Sequence, residues 1–431
     1  MVSHIPPRVD ARRDDDVRVE SRSVSGVLKA RLDSRVAGST WAYAPGDAAL
    51  SLDCDPASGV ARLRNRDGAV VHTWADPLAA LDWMPRHLEE FGGADARWIG
   101  YLSYDLGRMF EKLPARTVDD LRLPLFAFTL HEELADTAAT INAPVSVPRE
   151  ADAALSSNFS RDAYLRAVER AIAYIAAGDI FQVNLSQRFA APLEEPPARI
   201  YERLKTQSPA LYGAYIEHVD VALICNSPEL FLRVEREGAS DKRKVTTRPI
   251  KGTRAAGAGM ARQLRESEKD QAELNMIIDL ERNDLGRVCE IGSVRVTQPR
   301  AVEQHPTVLH TAATIEGLLR PGVTFVDLLR ATFPGGSITG APKIRAMEII
   351  EELEPHRRGP YCGAIGYLGG DGTIELNVAI RTMIVRGGQV HVPVGGGIVA
   401  DSDPAAEYEE TLVKAKAMFA ALGVSVDQLQ S

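Results

Sequence analysis

Three strand-like runs follow one another between residues 362 and 400 with only short turns between them. They read CGAIGYLG at 362–369, IELNVAIRTMIV at 374–385 and QVHVPVGGGIVA at 389–400. Parallel strands need a long crossover connection, whereas antiparallel strands need only a tight turn. The runs therefore predict antiparallel hairpins and argue against a repeating βαβ fold.

Helical segments are interspersed with these hairpin-like pairs. The clearest begins after Ser160, where Tyr164, Val168 and Ile172 repeat at helical spacing and Gly178 ends the pattern. Further helices are predicted at about 76–91, 261–282, 324–333, 344–354 and 405–422. The mixture predicts an α+β layered sandwich, with largely antiparallel sheets and flanking helices.

The chain divides into three parts by composition. Residues 1–25 are charged and proline-bearing and predict a mobile tail, and residues 26–150 form an N-terminal region of short strands with one helix. A small, polar stretch at 134–158 predicts a linker or a long excursion at a sheet edge, and the sharper pattern covers 158–424. We expect the two larger regions to pack as one globular unit.

Charge and cysteine content exclude several classes of protein. The net charge of −9 argues against a nucleic-acid or anionic membrane surface, and no apolar run reaches membrane-spanning length. The four cysteines are scattered, without metal-binding or disulfide spacing, and the first residues lack the apolar run of a signal peptide. We expect a cytoplasmic protein.

Two pairs of acidic residues lie three positions apart on predicted helices. Asp270 and Glu273 form one pair, and Glu407 and Glu410 form the other, followed one turn later by Lys414. Residues at this spacing share a helix face. Such pairs are usually only solvated, but two of them together offer the oxygen ligands that suit Mg²⁺.

Eight ordered motifs span residues 180–416: FQVNLSQRF, NSPELFL, RPIKGTR, ELNMIIDLERNDLGRV, FPGGSITGAPKIRAMEIIEELEP, YCGAIGY, IRT and GGGIVADSDPAAEYEETLVKA. Together they closely resemble the chorismate-utilising enzyme family, over about residues 158–424. The segment WIGYLSYDLGRMFEKLP also resembles the N-terminal half of aminodeoxychorismate synthases. The resemblance implies that 158–424 is a chorismate-binding catalytic domain.

The resemblance assigns roles to the acidic pairs and to the glycine run. It implies that Mg²⁺ bridges the ring carboxylate of chorismate to the family's acidic residues, which are matched here by Asp270, Glu273, Glu407 and Glu410. Asp270 departs from the glutamate expected in several relatives, and its shorter reach suggests a water-mediated contact. Backbone amides of Gly395, Gly396 and Gly397 match the rest of the ring-carboxylate site.

Other substrate contacts follow from the same resemblance. Arg381 matches the residue that grips the enolpyruvyl carboxylate, where a planar guanidinium gives bidentate geometry. Tyr361 matches a hydrogen-bond partner of the same group, and Thr339 and Lys414 match residues lining the site. His310 matches a histidine near the leaving hydroxyl; its alternative interpretation is a hydrogen-bonded core histidine.

Two positions divide the family by reaction. Water-adding members carry a catalytic lysine where this chain has Gln182, and anthranilate synthases carry alanine where it has Lys251. Aminodeoxychorismate synthases carry PIKGT, with the lysine as nucleophile. The combination therefore implies that Lys251 adds to C2 of chorismate, that ammonia then enters at C4, and that Glu229 is the general acid/base.

Two alternatives stay open at this point. One is an anthranilate synthase large subunit with an atypical lysine, and the other is a chorismate-family binding protein without turnover. The resemblance also implies a glutamine amidotransferase partner that supplies ammonia, because none of the four cysteines lies in a recognisable nucleophile motif. Whether the product would enter folate synthesis or specialised metabolism is not determined by the sequence.

Overall fold

The computed structural model describes residues 29–34, 41, 43–45, 47–91, 93–132, 134–135, 155–218, 220–238, 240–255, 257, 259–304, 308–425, 427 and 429. The predicted tail at 1–25 and residues 136–154 of the predicted linker lie outside these residues. Among the helices of the described part, none is both long and apolar enough to cross a membrane.

Most of the strands belong to two large sheets. In chain order they are β1 (Lys29–Asp33), β2 (Ala44–Pro45), β3 (Leu50–Cys54), β4 (Ala61–Asn65), β5 (Val70–Trp74), β6 (Arg97–Leu102), β7 (Phe126–His131), β8 (Leu134–Ala135), β9 (Ser156–Ser157), β10 (Gln182–Pro192), β11 (Tyr212–His218), β12 (Val221–Ser227), β13 (Leu230–Arg236), β14 (Arg243–Arg248), β15 (Ile250–Ala255), β16 (Arg295–Gln304), β17 (Val308–Leu318), β18 (Gly340–Ala341), β19 (Ala364–Gly369), β20 (Ile374–Val378), β21 (Thr382–Arg386) and β22 (Gln389–Ile398).

Helices flank these sheets. They are α1 (Pro77–Phe91), α2 (Arg161–Ala176), α3 (Pro197–Gln207), α4 (Met260–Glu266), α5 (Glu268–Gly286), α6 (Phe325–Thr332), α7 (Lys343–Leu353) and α8 (Pro404–Leu422), with short 3₁₀ turns at Tyr104–Met109 and Gly336–Ile338. The predicted helices at 76–91, 324–333, 344–354 and 405–422 are confirmed, as is the helix capped by Ser160, whose side chain accepts from the Ala163 N–H.

Two sequence-based element predictions were wrong in part. The single helix expected at 261–282 is two helices, because Ser267 adopts an extended conformation and its side chain caps α5 by accepting from the Asp270 N–H. The sequence WIGYLSYDLGR at 98–108 is strand-like and predicts one strand, but the strand ends at Leu102, and Ser103 caps a 3₁₀ turn.

The α+β prediction is confirmed, since the large sheets are antiparallel throughout and carry helices on their faces. The first sheet has the order β1-β11-β12-β21-β22-β10-β18, with β9 on β10, and the second runs β15-β17-β14-β13-β20-β19-β6-β7-β3-β4-β5, with β16 on β17. Strands from both sides of residue 150 pair directly, as β1 with β11 and β6 with β19. Neither the N-terminal nor the C-terminal region therefore holds either of the two large sheets on its own.

Helices α2, α7 and α8 position one wall of the site by packing on the first sheet. Phe419 of α8 meets Phe189 of β10 edge to face, and Tyr408 meets Tyr164 of α2 in the same way. These buried aromatic contacts fix the rotation of α8 about its axis. Its acidic residues are thereby directed towards the end of β22.

Candidate active site

Lys251 lies just after a bend between two strands that share a partner. Pro249 separates β14 from β15, both of which pair with β17, and Lys251 is opposite Thr311. The next residue, Gly252, has a φ of +75° at a register shift. A side chain there would stand 3.0 Å from the Asp270 carboxyl carbon, so glycine lets α5 pack closely beside the lysine.

The charges of four predicted site residues act on the Lys251 amine and change its pKa. Burial lowers the pKa of Lys251, and the positive charge of Lys414 lowers it further. The carboxylates of Glu273, Glu229 and Glu410 act against this lowering. The structure thus brings these five residues together from β15, α5, α8 and the segment between β12 and β13, and the lowered pKa favours the neutral amine that a nucleophilic lysine requires.

Glu229 is buried between β12 and β13. It is only 4% exposed, and burial raises its pKa, which favours the protonated form needed by a general acid. The Ser337 hydroxyl and the Ile250 N–H donate hydrogen bonds that oppose this rise, as do the charges of Lys251 and Arg381. Sequence analysis missed Ser337, which lies in the turn preceding Thr339.

The residues predicted to hold the enolpyruvyl carboxylate occupy strained or buried positions. Arg381 has a φ of +50°, and its carbonyl accepts from the Asn226 N–H at 3.1 Å. Tyr361 is buried, and burial raises its pKa, so its hydroxyl is a neutral donor. The Thr339 hydroxyl donates to the Gly335 carbonyl at 2.9 Å and keeps its lone pairs available to accept.

Gly396 gives the acidic residues of α8 access to the strand. A side chain there would meet Glu407 Oε2 at 3.3 Å, Lys414 Nζ at 3.5 Å and Glu410 Oε1 at 3.6 Å. These three side chains therefore converge over the Gly396 backbone. Only a residue without a side chain leaves that space to a ligand.

The glycine strand has one edge available near this cluster. Lys414 Nζ donates to the Gly395 carbonyl at 2.9 Å. In a strand, the N–H and C=O of one residue point to the same edge, so the amides of Gly395 and Gly397 also face away from β10. Within the described residues, β21 pairs there only with residues 389–391 of β22, which is compatible with anion binding at this edge.

The predicted metal ligands offer suitable oxygen atoms but are held by protein partners. Ser402 donates to Glu407 at 2.6 Å, Lys414 pairs with Glu410 at 2.7 Å, and Arg254 pairs with Asp270 at 2.8 Å. In the described part of the chain, no three acidic, histidine or cysteine side chains are grouped closely enough to hold a metal ion. The chemistry of the donors fits Mg²⁺, and its binding here remains a proposal.

Strand β10 carries buried polar residues near the site, and of these the sequence indicated only Gln182. Among the residues that the structure describes, both side-chain amide atoms of Gln182 and the Asn184 Oδ1 are buried without hydrogen-bond partners, and the buried Ser186 hydroxyl lies within hydrogen-bonding range of Tyr361. Side chains at Gly395 and Gly397 would collide with these groups, at 2.6 Å from Ser186 Oγ and 2.9 Å from Gln182 Nε2. The glycines thus keep open a row of polar groups that a substrate could bind.

His310 is nearly fully buried on β17, opposite Thr253 and next to Thr311 in sequence. The structure therefore places it one residue from the partner of Lys251. A separate cleft of about 770 Å³ lies between α5, α6 and α7. None of the predicted site residues lines it, although its wall includes Phe181, the neighbour of Gln182.

Comparison with known proteins identifies the family. The chain belongs to the chorismate binding enzyme family, whose model matches residues 59–420. It is 44% identical to anthranilate synthase component 1 of Thermus thermophilus over 77% of this chain and 78% of the relative. It is 39% identical to aminodeoxychorismate synthase component 1 of Bacillus subtilis over 82% and 83%.

A solved structure has the same overall fold. The crystal structure of anthranilate synthase component I from Streptococcus pneumoniae TIGR4 superposes with a TM-score of 0.74 at 29% identity, covering 94% of this chain and 95% of that one. The protein is therefore a chorismate-utilising enzyme of the α+β type. Relatives with two different amination products resemble it to a similar degree, so residues of the site must decide between the products.

Proposed function

We propose that the protein is an aminodeoxychorismate synthase component, which converts chorismate and ammonia to 4-amino-4-deoxychorismate. The observation that carries this proposal is the environment of Lys251. Its side chain is partly enclosed, its pKa is lowered, and it lies within electrostatic range of the buried carboxyl of Glu229. A lysine serving only as a surface cation would not need this environment.

The residues support a two-step substitution. The Lys251 amine forms a bond to C2, the ring double bonds shift, and the C4–O bond breaks as Glu229 donates its proton to the leaving hydroxyl, which departs as water. Ammonia then forms a bond to C4, the double bonds shift back, and the C2–N bond to Lys251 breaks. The proton that the Lys251 amine loses on adding to C2 restores Glu229, the proton that ammonia loses at C4 returns to the departing Lys251 nitrogen, and Arg381 holds the enolpyruvyl carboxylate throughout.

Mg²⁺ would be held by Glu273, Glu407 and Glu410, with Asp270 contributing through water because Arg254 occupies one of its oxygens. When bound, the ion neutralises the ring carboxylate and offsets the acidity of the pocket. Lys414, which pairs with Glu410 here, would be available to contact the substrate if Glu410 held the ion.

Ammonia must reach C4 from outside this chain. All four cysteines are buried, and burial raises the pKa of each thiol, to about 12 for Cys54 and Cys362 and about 11 for Cys289. None is a thiolate suited to attack glutamine. A glutamine amidotransferase partner is therefore part of the proposal.

The second candidate is anthranilate synthesis, favoured by the 44% identity to the Thermus thermophilus relative. The test incubates the protein with chorismate, MgCl₂ and ammonium salt, and separates the products by chromatography and mass. We expect 4-amino-4-deoxychorismate. Anthranilate as the main product would refute the assignment, and unconsumed chorismate under all conditions would favour a binding protein.

A further inference from the structure

A third buried carboxyl lies behind the site and is not used by the proposed chemistry. Glu281, on α5, is 5% exposed, and its Oε2 accepts from the Thr247 hydroxyl of β14 at 2.8 Å. Its Oε1 lies only 3.5 Å from where a side chain on Gly336 would begin. Glu281 is thus enclosed between a strand of the second sheet and the 3₁₀ turn Gly336–Ile338.

This turn leads directly to the general acid. Ser337 follows Gly336, is itself buried, and donates from its hydroxyl to Glu229. We propose that Glu281 is a positioning residue for Glu229, supporting the turn that carries Ser337 and, through its own charge, favouring the protonated form of the general acid. The proposal rests on the acid role assigned to Glu229 above.

The charges around Glu281 are compatible with this role. Burial raises its pKa to about 7, and repulsion from Asp284 on the same helix adds to the rise. Lys343 of α7 and the Thr247 hydrogen bond lower it, and Glu229 on the segment after β12 raises it. Lys343 is itself bonded to Asp284 at 2.5 Å and to the Thr332 carbonyl at 2.9 Å, so it does not form a direct pair with Glu281.

The coupling between the two carboxyls has a defined sign. Like charges disfavour each other, so an ionised Glu281 keeps the proton on Glu229 to higher pH, and the effect is reciprocal. Because Glu281 ionises near neutral pH, its charge acts on Glu229 on the alkaline side of the pH profile. Removal of its charge should therefore make Glu229 lose its proton at lower pH.

The experiment compares Glu281→Gln with wild type by following chorismate consumption, whichever product forms, across the pH range. Glutamine keeps an oxygen that accepts from Thr247 but removes the charge. We expect the alkaline limb of the kcat/KM profile to move down by about half a pH unit, with an approximately threefold lower value on that limb. Asp279→Asn is the matched control, an acid-to-amide change on the same helix at a side chain that is 73% exposed, and it should leave the profile unchanged.

Thermal unfolding provides a second measurement. Because Glu281 has a folded pKa above its unfolded value, its ionisation destabilises the fold as pH rises from the acid range through about 7. Glu281→Gln should therefore melt at a higher temperature than wild type at alkaline pH and close to wild type at acid pH. That pattern shows that the variant folds and that the charge was buried.

Two results would overturn the proposal. The first is a pH profile of Glu281→Gln that superimposes on that of wild type, although the separate variant Glu229→Gln is inactive. It would show that Glu281 does not act on the general acid. A Glu229→Gln enzyme that still consumes chorismate would overturn both this proposal and the acid role of Glu229. Neither outcome depends on which amino product forms. A wrong synthase assignment would therefore be detected by the product assay and not by these measurements.

Discussion

Replacing Gln182 by methionine should make the protein more stable and less active. Gln182 is fully buried, and neither its Nε2 nor its Oε1 has a hydrogen-bond partner in the described part of the chain. A buried polar group without a partner costs about 1–3 kcal/mol, and methionine has a similar volume with no such requirement. We expect Gln182→Met to raise the unfolding free energy by about 2 kcal/mol, which in a chain of this length is a rise in Tm of about 2 °C.

The same strand provides a matched control. Gln187 is also buried on β10, but its Nε2 donates to the Thr411 hydroxyl at 2.6 Å and its Oε1 accepts from Ser157. Gln187→Met removes satisfied bonds and should lower the unfolding free energy by about 1–3 kcal/mol. The two identical substitutions, five positions apart, are thus expected to have opposite signs in the same thermal or denaturant assay.

The variant that is expected to be more stable, Gln182→Met, should be the less active one. Gln182→Met should raise the KM for chorismate or lower kcat, because the unpartnered amide faces the space left by Gly397. If Gln182→Met were as unstable as Gln187→Met, the amide would be satisfied in the folded protein. The interpretation of the β10 polar row as a ligand-facing surface would then be wrong.

Three further predictions test the chemistry. Lys251→Ala should lose most 4-amino-4-deoxychorismate formation, and mass spectrometry should detect some 2-amino product or anthranilate. Undiminished synthesis by this variant would exclude the nucleophile role. In wild type, the rate should rise with pH through the lowered pKa of Lys251. Arg381→Lys should raise the KM for chorismate by about tenfold to a hundredfold, because a point charge lacks the bidentate fork, and unchanged kinetics would make the residue structural. Glu410→Gln should increase the Mg²⁺ concentration needed for half-maximal rate, whereas its exposed neighbour Glu409→Gln should not, and equal responses would contradict the metal assignment.

The acidic candidates were easier to recognise in the sequence than the buried polar residues of β10. Asp270, Glu273, Glu407 and Glu410 stood out because charges three apart on a helix are visible as a pattern, and the family resemblance then supplied their predicted role. Polar residues alternating along a strand look the same whether water or protein covers them. Asn184 and Ser186 were therefore missed, since their burial depends on which strand and helices cover β10.

Acidic residues of one helix show the same limit. Asp279 and Glu281 are two positions apart on α5, and the sequence treats them alike, yet one side chain is 73% exposed and the other is buried. Two positions correspond to more than half a helical turn, so the residues face opposite directions. Which direction is inward depends on where Ser267 ends α4 and begins α5, and the expected single helix did not include that break.

Neighbouring glycines of β22 offer a final test, because their missing side chains face different parts of the molecule. A side chain at Gly395 would begin 2.7 Å from the Leu185 carbonyl, a backbone atom of the paired strand that cannot move independently. The three atoms nearest to one at Gly396 are at the ends of Glu407, Lys414 and Glu410, at 3.3–3.6 Å. Gly395→Ala should therefore lower the unfolding free energy by about 1–3 kcal/mol through forced strand displacement.

Gly396→Ala should fold with nearly wild-type stability, since the three side chains it meets can shift. Its methyl group would nevertheless occupy the space over the strand where the α8 carboxylates converge, and so weaken both chorismate and Mg²⁺ binding. Isothermal titration with MgCl₂ and chorismate, alongside thermal melts of both variants, measures the two effects independently. Normal ligand binding by Gly396→Ala, with full stability, would show that the space above this glycine is not part of the substrate site.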